Sequence, residues 1–101
     1  MSIDIYCYSK LELNESDAII KSLRSNESSI FEIAYQIFNS IPADALAQEI
    51  ASENGLMARS VFLVHMEKQQ EFTTPERVAT ALKRAFGSDN VLVLLQNEKV
   101  L

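Results

Sequence analysis

Two apolar segments flank one amphipathic helix in the second half of the sequence, and they limit the possible folds more than any other feature. Residues 60–66 and 91–95 are apolar on both alternating faces, which is typical of strands covered above and below. Between them, Thr74 can cap a helix that has Pro75 at its first position and Gly87 at its end. Because a helical crossover normally joins parallel neighbours, we predict a β-α-β unit.

The remaining pattern extends this alternation to the whole chain. Residues 3–8 alternate with period two, so that Ile3, Ile5 and Cys7 share one face and the tyrosines the other. A helix capped by Asn14 or Ser16 should follow, and another should begin at Pro42. We therefore predict one α/β domain over residues 1–101, in the order β-α-β-α-β-α-β. It should hold three or four mainly parallel strands and three helices in two or three layers.

Residues 30–38 fit two structures. As a strand, they place Phe31, Ile33, Tyr35 and Ile37 on one apolar face; as a helix, they begin with a capping box of Ser29 and Glu32. The segment ends after nine residues, at strand length, which favours an edge strand. The helical alternative turns the prediction into an α+β fold. An edge strand over residues 31–37 would also allow a homodimer, since Glu32 alone protects it poorly.

Cysteine usage and hydropathy indicate the compartment. Cys7 is the single cysteine and His65 the single histidine, so neither an intramolecular disulfide nor a structural zinc site is expected. No apolar stretch approaches the roughly 20 residues that span a bilayer. The N-terminal residues do not show the basic start and apolar core of a secretory leader, because Asp4 interrupts the run that begins at Ile3. We expect a cytoplasmic protein without membrane contact.

The charge is strongly asymmetric along the chain. Residues 1–50 hold eight acids and three bases, whereas residues 51–101 hold six of each. Without a basic stripe, binding to nucleic acid is disfavoured. An acidic surface either keeps a small protein soluble or matches a basic protein partner. For the second role, the candidate contact residues are five acids of the first half: Glu12, Glu15, Asp17, Glu27 and Glu32.

The sequence offers little for catalysis. Its two glycines, Gly55 and Gly87, both fit helix ends, so no glycine-rich phosphate loop exists. Cys7 and His65 lie on predicted strands and could form a nucleophile and base, but a buried, inert cysteine and a hydrogen-bonded histidine are the commoner outcome. We expect no cofactor, no metal and no enzymatic activity.

Three consecutive residues form a candidate ligand-binding site. Tyr8, Ser9 and Lys10 lie at the carboxyl end of the first predicted strand. In open parallel α/β sheets, ligands bind outside these ends, so the three residues are candidates for holding an anion or a small ligand. The alternative is that the tyrosines pack beneath the flanking helices with their hydroxyls at the rim.

Three stretches, residues 3–9, 58–64 and 86–94, resemble parts of short bacterial proteins of similar length. Among these are immunity proteins of contact-dependent growth inhibition. The resemblance covers about half of the chain and contains no functional motif, so it transfers no site residue. It implies a small inhibitor that neutralises a basic toxin domain. The alternatives are a structural or regulatory subunit, or a small-ligand binder or enzyme that uses a pocket near Tyr8–Lys10.

Overall fold

The computed structural model describes residues 3–26, 36–66 and 74–101, and these form a sheet with helices on both faces. The strands and helices follow one another along the chain as β1 (Ile3–Ser9), α1 (Leu13–Asn26), β2 (Gln36–Ile37), β3 (Ile41–Pro42), α2 (Ala45–Glu53), β4 (Ser60–Met66), α3 (Pro75–Phe86), β5 (Val91–Leu95) and β6 (Lys99–Val100).

The sheet is antiparallel, so the prediction of a mainly parallel α/β sheet is wrong. Its strands lie in the order β2-β4-β1-β5-β6, and β3 also pairs with β4. The central strand β1 pairs antiparallel with β4, from Ile3 opposite Met66 to Ser9 opposite Ser60. It also pairs antiparallel with β5. The described residues therefore form a six-stranded antiparallel α+β fold.

The error has a clear physical origin in the unit β4-α3-β5. Both strands run antiparallel to β1, so they are parallel to each other, as a helical crossover requires. They are not neighbours, however, because β1 lies between them. An apolar strand pattern shows that a strand is covered on both faces but does not show which strand lies beside it. The split β-α-β arrangement therefore resembles a contiguous unit in sequence.

One face of the sheet is sealed by α1 and α3, and we call it the sealed face. Ile5, Val64 and Val93 are completely buried there, in one cluster with Ile20 of α1 and Leu82 of α3. The rings of Phe62 and Phe86 stack within this cluster with their centroids 5.2 Å apart. Burying such side chains contributes about 1.5–3 kcal/mol each, so this face supplies most of the hydrophobic stabilisation.

A buried hydroxyl cluster closes one end of the sealed face. Ser9 of β1, Ser16 of α1 and Ser60 of β4 are all fully buried. Ser16 Oγ donates to Ser9 Oγ at 2.9 Å and lies 2.8 Å from Ser60 Oγ. Ser60 Oγ donates to the Leu11 carbonyl at 3.0 Å, and Ser9 Oγ accepts from the Leu11 backbone N–H. These bonds satisfy hydroxyls that would otherwise be costly to bury.

The predicted ends agree with the structure for α3, whereas the predicted starts of α1 and α2 differ from it. Thr74 caps α3 and Gly87 follows it with a positive φ of 93°, as predicted. Pro42, by contrast, lies in β3, and α2 begins later because the Asp44 carboxylate accepts from the Ala47 N–H. Helix α1 already begins at Leu13, so neither Asn14 nor Ser16 is its N-cap, and Ser16 instead serves the hydroxyl cluster.

The short strands β2 and β3 are tied to α1. Arg24 donates from Nε and Nη2 to the Ile37 carbonyl, and Asp17 accepts from both the backbone N–H and the hydroxyl of Ser40. Of the segment 30–38, residues 30–35 lie outside the described residues. Gln36 and Ile37 are extended and pair with His65 and Val64 of β4.

Candidate functional site

Among the described residues, only half of the sheet face opposite α1 and α3 is covered, and we call it the half-open face. Tyr6 and Tyr8 of β1 point to it, because side chains alternate along a strand and their neighbours Ile5 and Cys7 belong to the sealed face. Helix α2 covers one half: its Ala47 and Ala51 are buried against Tyr8. The other half, around Tyr6, has no helix over it in the described part of the chain.

A groove of about 500 Å³ lies between α2 and this face. We call it the sheet groove. Its walls come from β1, β4, α2 and the segment that carries β2 and β3. The side chains that line the groove are mostly apolar. On the sheet they are Tyr6, Tyr8, Val61 and Leu63, and opposite the sheet they are Phe38, Ile41, Pro42, Leu46 and Ile50. The polar residues of the lining are Asn39, Asp44 and Asn97.

Several large apolar side chains of the sheet groove face solvent. The exposed fraction is 37% for Tyr6, 44% for Phe38, 61% for Ile41 and 64% for Leu46. None of these four belongs to either hydrophobic core cluster. Single exposed apolar residues are ordinary, but a contiguous group around a groove is typical of a binding surface.

A hydrogen-bonded pair of side chains lies at the end of the half-open face. Asp4 and His65 are opposite each other in the β1–β4 pairing, and His65 Nδ1 lies 2.6 Å from Asp4 Oδ1. His65 is thus a hydrogen-bonded histidine at the sheet end. Cys7 lies on the sealed face, where burial raises the pKa of its thiol far above the ordinary value. The structure does not bring this thiol and His65 together.

The predicted ligand residues Tyr8, Ser9 and Lys10 are also separated. Tyr8 is buried under α2, where its hydroxyl donates to Asn97 Oδ1 at 2.6 Å and burial raises its pKa. Ser9 points to the opposite face, into the hydroxyl cluster, and Lys10 is exposed. In an antiparallel sheet the carboxyl end of β1 meets the amino ends of β4 and β5, so these strands share no carboxyl-terminal edge.

The predicted partner-binding acids differ in their surroundings. Glu12 and Glu15 are exposed at the start of α1, where negative charge is favoured by the helix dipole. Glu12 Oε1 lies 3.3 Å from Arg59 Nη1. Asp17 is partly buried, and its two hydrogen bonds from Ser40, through the hydroxyl and the N–H, hold its pKa below the usual value. Glu27 and Glu32 lie outside the described residues.

Sequence reasoning missed the sheet groove, although part of the signal was present. The alternation in β1 places both tyrosines on the face opposite the predicted core. The exposure of Ile41 and Leu46 had no such signal, because it depends on how α2 and β3 lie on the sheet. Within residues 3–26, 36–66 and 74–101, no group of three acidic, histidine or cysteine side chains could hold a metal ion. None of the helices described there is long and apolar enough to cross a bilayer.

Comparison with known proteins places the chain among bacterial immunity proteins. Residues 1–99 match the family model described as CDI System Immunity Component. Immunity protein CdiI-2 of Burkholderia pseudomallei strain 1026b is 33% identical over 98 residues, which cover 97% of either chain. A solved CdiA-CT/CdiI toxin and immunity complex from Burkholderia pseudomallei contains a chain of the same fold. That chain has a TM-score of 0.89 and 32% identity, with 97% of this chain and 95% of the other covered.

Proposed function

The chain belongs to the family of CDI system immunity components, and from this premise we propose that it protects its own cell by binding a toxin domain directly. The observation that carries the proposal is the likeness over nearly the whole chain to a protein solved in a toxin and immunity complex. The match spans both chains almost completely, so it relates whole domains rather than one shared element. The partner we infer is therefore a toxin protein.

We infer inhibition by occupation of the toxin surface, not by a reaction. Cys7 is buried in the sealed face, where burial raises the pKa of its thiol, whereas His65 pairs with Asp4 on the half-open face. A nucleophile and a base must lie within hydrogen-bond reach to act together. The sheet separates these two groups, so stoichiometric binding accounts for protection better than catalysis does.

The charge distribution supports a basic surface on the toxin domain. Glu12 and Glu15 are exposed and can attract lysine and arginine side chains at a distance, which raises the rate of association. Glu27 and Glu32 belong to the same proposal on sequence grounds. Asp17 contributes less to binding in this scheme, because its carboxylate already accepts two hydrogen bonds from Ser40.

The test is protection of a growing cell. We infer that the partner toxin domain is encoded beside the gene of this chain. This domain is induced in a host with and without the chain, and growth is followed. We expect growth to continue only with the chain present, and the two purified proteins to elute together at equal stoichiometry. Arrest of growth despite abundant, folded chain would overturn the proposed function. The CdiA-CT toxin domain of the B. pseudomallei complex serves as a non-cognate control.

A further inference from the structure

The whole net charge of the chain comes from one continuous segment. No lysine, arginine or histidine occurs between Arg24 and Arg59, a stretch of 34 residues that holds five acids. The other 67 residues hold nine acids and nine bases. The formal net charge of −5 is therefore the charge of residues 25–58 alone, and the negative field of the molecule should be strongest around this segment.

The described part of that segment also builds one wall of the sheet groove. Residues 36–58 carry β2, β3 and α2, and they supply Phe38, Ile41 and Leu46 to the rim. Their acids Asp44, Glu49 and Glu53 are all exposed. Asp44 is the single charged residue among the side chains that line the groove in the described part of the chain. The acidic segment thus borders the apolar groove, with Asp44 at the groove itself.

We propose that the sheet groove is the anchor site for the toxin, and that it receives an apolar side chain projecting from a basic surface of the toxin domain. The inference rests on the proposed function and adds to it the place of binding. Protein interfaces typically combine a few desolvated apolar anchors with a charged rim. Tyr6, Phe38, Ile41 and Leu46 supply the apolar part. Asp44 supplies a charge at the groove, and the exposed Glu49 and Glu53 add to the negative field of the same segment.

Charge argues against a second copy of the chain as the occupant. In a symmetric dimer the same patch meets itself, so a dimer through the groove would bring two copies of the acidic segment together. Like charges across an interface are unfavourable. A basic partner, by contrast, is attracted by the negative field of the acidic segment.

The polar groups of the groove argue against a small molecule. Small-ligand sites use a few convergent polar groups to fix orientation. In the sheet groove, Asp44 Oδ1 accepts from the Ala47 N–H, and Asn97 Oδ1 accepts from the Tyr8 hydroxyl. These two acceptor atoms are already engaged, and Asn39 is the one further amide side chain that lines the groove within the described ranges. The apolar walls are therefore the main source of affinity.

The anchor is tested with the double variant Leu46→Gln/Ile41→Gln. Both side chains are more than half exposed, so the fold should survive the exchange, which circular dichroism and thermal melting verify. We expect the Kd for the toxin domain encoded beside this gene to rise by at least about tenfold, as for the loss of hot-spot residues. The rise should come mainly from faster dissociation.

Met57→Gln is the matched control. Met57 is 77% exposed and lies outside the groove, so this variant removes an exposed apolar side chain without touching the anchor. Its Kd should stay within about twofold of the parent. An equal loss in the double variant and in this control would overturn the inference, because it would show a general effect of surface hydrophobicity.

The negative field of the acidic segment is tested with Glu49→Gln/Glu53→Gln against Glu76→Gln/Glu98→Gln. All four glutamates are exposed, but only the first pair lies in the acidic segment. We expect the first pair to slow association about two- to fivefold at low salt and to have little effect at high salt, where charges are screened. Equal slowing by the two pairs would contradict a basic surface directed to this segment.

The outcomes separate the two proposals. If the parent chain does not bind the toxin domain, the proposed function fails and the anchor site fails with it. If the parent and the double variant bind equally well, the function stands and the groove is excluded as the anchor. If light scattering shows a dimer of the parent chain that the double variant loses, a second copy occupies the groove and the inference is overturned.

Discussion

The two faces of the same sheet differ sharply in how they are covered. On the sealed face, α1 and α3 span 14 and 12 residues and bury Ile5, Val64 and Val93 completely. On the half-open face, α2 spans nine residues and leaves Tyr6 and the rim of the sheet groove exposed. Both faces are built by alternate residues of the same strands, so the difference comes from the helices.

This difference shows how a chain of 101 residues can hold a stable fold and a binding surface in one sheet. A small domain can bury only a small hydrophobic core, and most of that core lies on the sealed face. The alanines of α2, Ala47 and Ala51, let that helix lie close to Tyr8 and Leu92, but one short helix cannot cover the strands beyond. The part left open is the part that we propose for the toxin.

Neighbouring residues of β1 give the strongest test of this contrast. Ile5→Ala should lower the free energy of unfolding by about 3 kcal/mol, since it opens a cavity in the sealed face. Tyr6→Ala should cost about 1 kcal/mol or less, because the ring is already partly exposed. Urea unfolding of both variants measures the two values. Equal losses would mean that the two faces contribute alike to stability, and the comparison would fail.

The hydroxyl cluster extends the contrast to polar groups. Ser16→Ala should cost about 1–2 kcal/mol, because the buried hydroxyls of Ser9 and Ser60 lose a partner. Exposed Ser52 of α2 provides the control, and Ser52→Ala should change stability by less than about 0.5 kcal/mol. The measurement is again the urea midpoint. A Ser16 variant as stable as its control would show that the sealed face tolerates unpaired hydroxyls.

Much of the sealed face was predictable from sequence, because it depends on local patterns. The alternation of residues 3–8, the apolar runs of β4 and β5, and the ends of α3 all follow from residue order. The cap and the first-turn proline at Thr74–Pro75 act within one helical turn. Such features need no knowledge of the rest of the chain.

Strand order and the half-open face were not predictable in this way. Whether β1 lies between β4 and β5 is decided by pairings between residues some 50 to 90 positions apart, and no local pattern records them. Pro42 illustrates the same limit: it suits the first turn of a helix, yet pairing with Ser60 places it in a strand. The exposure of Leu46 and Ile41 likewise follows from that tertiary arrangement.

Asp17 of α1, on the sealed face, is hydrogen-bonded to the segment that carries the groove residues. The pH dependence of stability tests how much this hydrogen bonding contributes. Its carboxylate accepts from Ser40, which precedes the groove residue Ile41, and its pKa in the folded chain is lowered. The stabilisation is therefore present above the unfolded pKa of about 3.9 and is lost as pH falls through the lower folded value. Asp17→Asn should cost about 1 kcal/mol at pH 7 and show a shallower loss below pH 4. Parallel pH profiles for variant and parent would contradict the link.

The ion pair of Glu12 and Arg59 should matter least to the fold, because it belongs to neither face and both side chains are mostly exposed. Exposed ion pairs typically contribute about 0.2–1 kcal/mol to the free energy of unfolding, and many contribute nothing measurable. Glu12→Gln should leave the urea midpoint nearly unchanged.

The same variant should still slow association with the toxin domain. The slowing should be up to about threefold at low salt, since an exposed charge acts through its long-range field. It should vanish at high salt, where the field is screened. Stopped-flow measurements at two ionic strengths separate the effects. A slowing that persists at high salt would place Glu12 within the contact itself, and the binding surface would then extend from the half-open face to the start of α1.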